Sequence, residues 1–347
     1  MYMKSKVVLF LVILYSFNSC LKNENTKNIN FESTPKKLID EAKYVLFDTY
    51  KIGDVRRYGV FPNERIGMNP KSNKNALETV IDLAEGGVEI IFPEGYYKTN
   101  LVLEGREQLR LQFDNASFAG EIRINENLKK ESSNIIFLGK VTSYSRFFVR
   151  KSRMIRIDEM IVKTDTILSW DKKESRGCNI YQGVEDIFFN KVIIDGLGSG
   201  ESYYQYTSAA MQIYGWNDNP KNVRIDSLIV NSSDRNGAYI TGSDHKFNYI
   251  HIKDYATGTT KFMKPIEDTS AGEELIMCGL WINRCNGCDF KEIIINNKDN
   301  DNLALKLDEG NIKSSTVIDN INIHYNNIDS LPIFDHELTN IIVKSLN

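Results

Sequence analysis

Proline is scarce in this chain, 7 in 347 residues, whereas tyrosine and phenylalanine each number 17. That balance suits strands lined with aromatic side chains and disfavours a proline-rich spacer. Charge of one sign is not in excess either. The 43 Lys and Arg stand against 46 Asp and Glu, a net charge of -3, and no basic tract stands out. This excludes the electrostatic footprint of a nucleic-acid binder. No apolar run reaches the length of about 20 residues that spans a bilayer; Val7 to Tyr15 is far too short. Asn-Gly, the dipeptide of two-residue hairpins, occurs only at Asn236-Gly237 and Asn286-Gly287. A β-sandwich would need more of them. Among the 5 cysteines, Cys285-Asn286-Gly287-Cys288 has a metal-like gap, but no second pair or nearby histidine completes four zinc ligands. A disulfide and plain core filling both stay open for Cys285 and Cys288, filling is favoured for Cys278, and Cys178 stands apart.

What is present begins with Lys4 and Lys6, the apolar run, and Phe17-Asn18-Ser19-Cys20. The order of basic residues, apolar stretch and small residue is that of a signal peptide. It resembles bacterial lipoprotein signals, among which Ser-Cys endings are frequent in the Bacteroidetes. The resemblance implies a signal peptide over 1–19, lipidation of Cys20, and anchoring in the outer membrane of the cell envelope, on its periplasmic or outer face. Leu21 to Pro35 is rich in Asn, Lys, Glu and Thr and cannot bury enough apolar surface to order itself. It is read as a tether over 20–35, leaving 36–347 as one domain, expected to be monomeric.

Two short helices are predicted, Thr34 to Phe47 and Asn75 to Ala84, and none of length afterwards. Short alternating segments then recur, as in repeat architectures. Met211–Gly215, Ala238–Gly242, Leu280–Arg284, Leu303–Leu307 and Leu331–Asp335 stack with Ile213, Ile240, Ile282, Leu305 and Ile333 at their centres. A second set, Val223–Asn231, Phe247–Ile252, Phe290–Asn296 and Ile318–His324, alternates with the first in the same phase. This pattern predicts an all-β, single-stranded, right-handed parallel β-helix (a solenoid) with a short N-terminal helical cap.

The cap carries a resemblance. The helical run Ala76–Ala84, the Gly86-Gly87 break, the strand Val88–Phe92 and the turn Pro93-Glu94-Gly95 resemble the N-terminal cap and first coil of the pectate lyase superfamily (pectin lyase-like proteins). In that family the substrate groove lies on one lateral face. Turning the apolar set inward leaves an outward column of Gln212, Tyr239, Trp281, Ala304 and Pro332, and a second of Tyr214, Thr241, Asn283, Lys306 and Phe334. Arg284, Asp308 and His336 follow at the turn, and Asp234 and Arg235 precede one strand.

Asp301-Asn302-Leu303-Ala304-Leu305-Lys306 resembles the Asp-Asp-Cys-x-Ala-x-Lys stretch of polygalacturonases, with one carboxylate absent. Inverting hydrolysis needs two carboxyl groups about 6.5–9.5 Å apart. A lyase needs instead a base, a neutraliser for the uronate carboxylate and a proton donor. Lys306 as base, Arg284 or Arg235 as neutraliser and His336 as donor meet that list, with Asp308 and Asp301 as further catalytic candidates. Calcium on Asp299, Asp301 and Asp308 is an alternative neutraliser. Lys261, Lys264 and Glu273, in the long insertion before Met277, are second-rank candidates. The expected activity is therefore cleavage of a uronic-acid polysaccharide by a polysaccharide lyase similar in style to chondroitinases and alginate lyases. The alternatives are a glycoside hydrolase using Asp301 with Asp308 or Asp234, and a non-catalytic glycan-binding lipoprotein that stacks sugars on Tyr239, Trp281 and Tyr214.

Overall fold

The computed structural model describes residues 39–127, 129–163, 177–196, 209–257, 277–297, 302–311, 314–325, 333–334 and 340–347. The chain divides into two units, Met1–Glu32 and Ser33–Asn347, and the first lies outside the described residues. The second unit is mostly β. Apart from a two-stranded antiparallel pair, Met68–Asn69 with Lys74–Asn75, its described strands fall into an 11-stranded and a 9-stranded sheet, both parallel, and from Glu107 onward the chain alternates strand by strand between them. The first sheet holds long strands such as Ser152–Lys163, Val184–Asp195, Lys221–Val230 and Asp289–Asn297. The second holds shorter ones, including Arg146–Val149, Gly177–Tyr181, Ala209–Tyr214, Asn236–Ile240, Cys278–Asn283 and Leu303–Asp308.

Burial follows the strand period of two, with one break. In Lys221–Val230 the inward residues are Val223 and Ile225, then Leu228 and Val230; Val184–Asp195 repeats this with Ile187 and Phe189, then Val192 and Ile194. The three-residue step in the middle turns the strand so that both halves keep facing the core. Parallel register sets like upon like. Phe247 stacks on Phe290 with centroids 5.1 Å apart and planes 6° from parallel. Truncating such a ring to alanine costs about 3–5 kcal/mol. Where second-sheet strands begin, small residues pile up in register: Gly177, Ala210, Gly237, Gly279 and Ala304. A Cβ on Gly237 would sit 2.4 Å from the Gly279 carbonyl oxygen and 2.7 Å from Ile252, so no side chain fits. Ala304 belongs to this buried corner, which removes it from the predicted outward column.

The cap forms as the sequence predicts at Ala76–Glu85, here α1. Asn75 caps it by accepting from the Leu77 N–H at 2.9 Å, and Gly87 at φ +90° ends it. The other predicted helix, Thr34 to Phe47, is not found in its described part. Only Glu41–Tyr44 makes a 3-10 turn. Tertiary contacts override local preference there: Arg57 and Tyr58 hold the Glu41 carboxylate, and the Leu46 and Phe47 N–H groups donate to the Arg57 carbonyl.

The predicted stacking of second-sheet strands holds for Ile213, Ile240 and Ile282, slips by two at the next strand, and holds again from Leu305 to Ile333. Ile282 pairs with Leu307, and Leu280 with Leu305. The two-residue shift keeps Lys306 and Asp308 on their expected face but changes their neighbours: Trp281 meets Lys306, and Asn283 meets Asp308. The four described cysteines, Cys178, Cys278, Cys285 and Cys288, are buried free thiols. Burial raises the Cys278 thiol to about 12, with Lys306 opposing and Asp308 adding to the shift.

The turn from Asn236–Ile240 to Lys246–Ile252 is locked by fully buried His245. Its Nε2 bonds the Thr241 carbonyl at 2.9 Å and its Nδ1 accepts from the Val223 N–H at 3.1 Å. A proton on Nδ1 would face another donor at a fully buried position, and burial lowers the His245 pKa from 6.5 to about 4. The unfolded chain thus binds the proton more readily, so stability is full above about pH 6.5 and falls as pH drops toward about 4, by about 3 kcal/mol. Urea unfolding across this window should show that slope, and His245→Gln should flatten it; an unchanged slope would refute the assignment.

Candidate functional site

The outward face of the second sheet carries two runs of side-chain contacts, one ending at Gln212 and one from Tyr214 to Lys306. One rung-by-rung column reads Arg123, Phe148, Asn179, Gln212, Tyr239, Trp281 and Lys306. At its near end Glu121 holds Arg146 at 2.6 Å and Arg123 at 2.9 Å, and Arg146 lies 4.8 Å from the Phe148 ring centre. Phe148 packs edge-on against Tyr181, whose hydroxyl donates to Gln212 at 2.7 Å. Beyond that come Tyr214 against Tyr239 at 5.8 Å, and Tyr239 against Trp281 at 4.9 Å and 81°.

The far end holds the groups with chemistry. The Lys306 Nζ sits 3.7 Å from the centre of the Trp281 ring, a cation–π contact. The indole Nε1 donates to Asp308 Oδ2 at 2.6 Å, and the Asn283 amide donates to the Tyr239 hydroxyl at 2.6 Å. Asp308 and Asn283 share a rung, and Arg284, exposed and at φ +52°, follows directly, its N–H donating to the Asp308 carbonyl at 2.9 Å. Lys306 and Asp308 thus stand two positions apart on one strand, and Arg284 ends the neighbouring strand beside them.

Two expectations need correction. Tyr239 and Trp281 are only 2% and 8% exposed and form a cluster with Ala209 and Cys278, so neither is an open stacking surface. Arg235 is buried at the opposite end of the strand, paired with Asp234 at 3.0 Å. Cys278 and Leu303 share a rung, and Asn236, which bonds Cys278, marks the same level; Asp308 lies five residues further, about 16 Å away at about 3.3 Å per residue. Arg235 thus cannot serve the carboxylate that Arg284 would reach, and both hydrolase pairs, Asp301 with Asp308 and Asp301 with Asp234, involve a residue outside the described ones. Asp299, Asp301, His336, Cys20, Lys261, Lys264 and Glu273 lie outside the described residues. Among the described residues no three His, Cys, Asp or Glu side chains cluster as metal ligands, and Asp308, the one described member of the calcium set, accepts from Trp281.

One residue escaped the sequence reading. Trp216, 78% exposed, tilts against Tyr214 with centroids 5.8 Å apart and so extends the aromatic chain into solvent. Its trace in the sequence is faint, a single tryptophan two positions after a strand tyrosine.

Compared with known proteins, the chain matches no family model, no curated protein and no solved structure.

The Trp281–Asp308 contact is a charge-assisted bond to a buried donor, so Asp308→Ala should destabilise the fold by about 1–3 kcal/mol. A double-mutant cycle with Trp281→Phe, read by urea unfolding, should show coupling above about 0.5 kcal/mol. Strict additivity would mean that the bond contributes nothing.

Proposed function

We propose that the two parallel sheets are walls of a right-handed parallel β-helix of the pectin lyase-like kind, and that the protein is a lipid-anchored envelope protein cleaving a uronic-acid polysaccharide by β-elimination. The strand-by-strand alternation between two sheets supports the fold reading. The observation that carries the chemistry is the meeting of Lys306, Asp308 and Arg284 at one end of the aromatic column.

In this reading the Arg284 guanidinium pairs with the uronate carboxylate, which acidifies the adjoining C–H. Lys306, as the neutral amine, takes that proton. The C–H electron pair becomes the new double bond as the neighbouring carbon releases its glycosidic oxygen, and the leaving oxygen gains a proton from a donor, the role assigned to His336. Trp281 positions Lys306 through its ring and Asp308 through its indole N–H. A second reading, a non-catalytic glycan binder, is favoured by exposed Trp216, which presents a flat ring in line with the same face.

The test is incubation of the purified protein with alginates, pectins and glycosaminoglycans, following ultraviolet absorbance of the unsaturated uronate, with and without chelator. Absorbance should rise on one polymer and should not with Lys306→Ala. A rise that persists in Lys306→Ala would remove the base assignment. No rise and no new reducing ends on any polymer would leave the binder.

A further inference from the structure

The turn that carries Trp216 is held more tightly than an idle surface turn requires. Trp216 sits at φ +54°, a left-handed conformation that a bulky side chain adopts only at a cost and that glycine or asparagine takes easily. The turn is closed by the Asp218 N–H to the Gly215 carbonyl at 3.0 Å. It is pinned from below by Asn219, whose Oδ1 accepts from the Gly215 N–H at 2.8 Å and from the Thr241 hydroxyl at 3.0 Å. The Asp218 carbonyl in turn accepts from the Gly183 N–H at 3.0 Å. Gly215 is obligatory, since a Cβ there would lie 2.3 Å from the Asp218 carbonyl oxygen. The fold thus holds an exposed indole on a tied turn, and Trp216 is the one aromatic among the described residues on a left-handed backbone.

Beside it lies a polar cavity of about 390 Å³, lined by Asp218 and Asn219 of this turn, Gln182 and Glu185 of the preceding one, and Lys151 and Lys221 among others. Trp216 and Asp218 are two residues apart, so their Cα atoms are within about 7 Å. A flat apolar ring on the same turn as Asp218 and Asn219, which line the cavity, matches a pyranose, which has an apolar face and a rim of hydroxyls. Glu131 also lines the cavity but is paired with Arg153 at 2.5 Å, so Glu185 and Asp218 balance Lys151 and Lys221, and a unit without net charge fits best.

We propose that the Trp216 turn and this cavity form a subsite for a neutral, hydroxyl-rich sugar unit. The inference rests on the carbohydrate reading of the adjoining face and deepens it. Gln212, Tyr239, Trp281 and Lys306 lie on successive strands, which puts the subsite about three strand spacings, or about 14 Å, from the Lys306 level. A polymer carrying uronate and neutral units would engage both.

The experiment is titration of the mature protein with neutral gluco-, xylo-, manno- and galacto-oligosaccharides, followed by indole emission and calorimetry. At least one series should give saturable binding, roughly tenfold weaker in Trp216→Ala and in Asp218→Ala. Trp216→Asn should also bind weakly yet melt no lower than wild type, because asparagine tolerates the left-handed backbone. Saturable neutral-sugar binding lost in Trp216→Ala, without uronate elimination on any polymer, would sustain the subsite and reject the lyase. Elimination without saturable neutral-sugar binding, or binding unchanged in Trp216→Ala, would overturn the subsite.

Discussion

Everything in the second unit depends on parallel strands pairing in register at a spacing of about 4.8 Å. A residue then has as its neighbour the residue at the same level of the next strand, and a mismatch cannot be moved elsewhere. The interior answers with like on like, phenylalanine on phenylalanine at Phe247 and Phe290 and glycine on glycine at Gly237 and Gly279. The outer face uses the same rule to bring unlike groups together. Trp281 reaches Lys306 only because their strands are adjacent, although 25 positions of chain separate them.

The junctions between sheets differ by direction. Passages from the second sheet to the first are short and tied by named groups: Gly183 after Tyr181, Asn219 after Tyr214, His245 after Ile240. The longest passages run the other way, from Lys163 to Gly177, from Asp195 to Ala209 and from Ile252 to Cys278. Long connections on a rigid scaffold commonly border binding surfaces. Buried Arg235 and Asp234 stand on the edge where those passages arrive, while Lys306, Asp308 and Arg284 stand toward the tied edge.

Much of this was legible from residue pattern alone. Alternation told inward from outward for Ile213, Ile240 and Ile282, and Asn75 with Gly86-Gly87 marked both ends of α1. Alternation has a period of two, however, so it cannot distinguish a register from one shifted by two, and Lys306 was paired with Asn283 instead of Trp281. It gives direction without cover, so the burial of Tyr239 and Trp281 was hidden. Ala304 was misplaced because both it and Leu305 face the core where the strand begins, which breaks strict alternation. Trp216 left no periodic trace, its significance residing in a backbone angle and in Asn219 beneath it.

The unequal junctions also bear on how such a chain could diversify. One residue added to a tied passage would turn the following strand inside out and break every rung after it. Length added between Ile252 and Cys278 leaves the rungs on both sides unaltered, because Ala238 and Leu280 pair whatever lies between them. That passage is a natural graft point: foreign loops of varied length inserted there would be displayed beside the Arg235 edge without renegotiating the core.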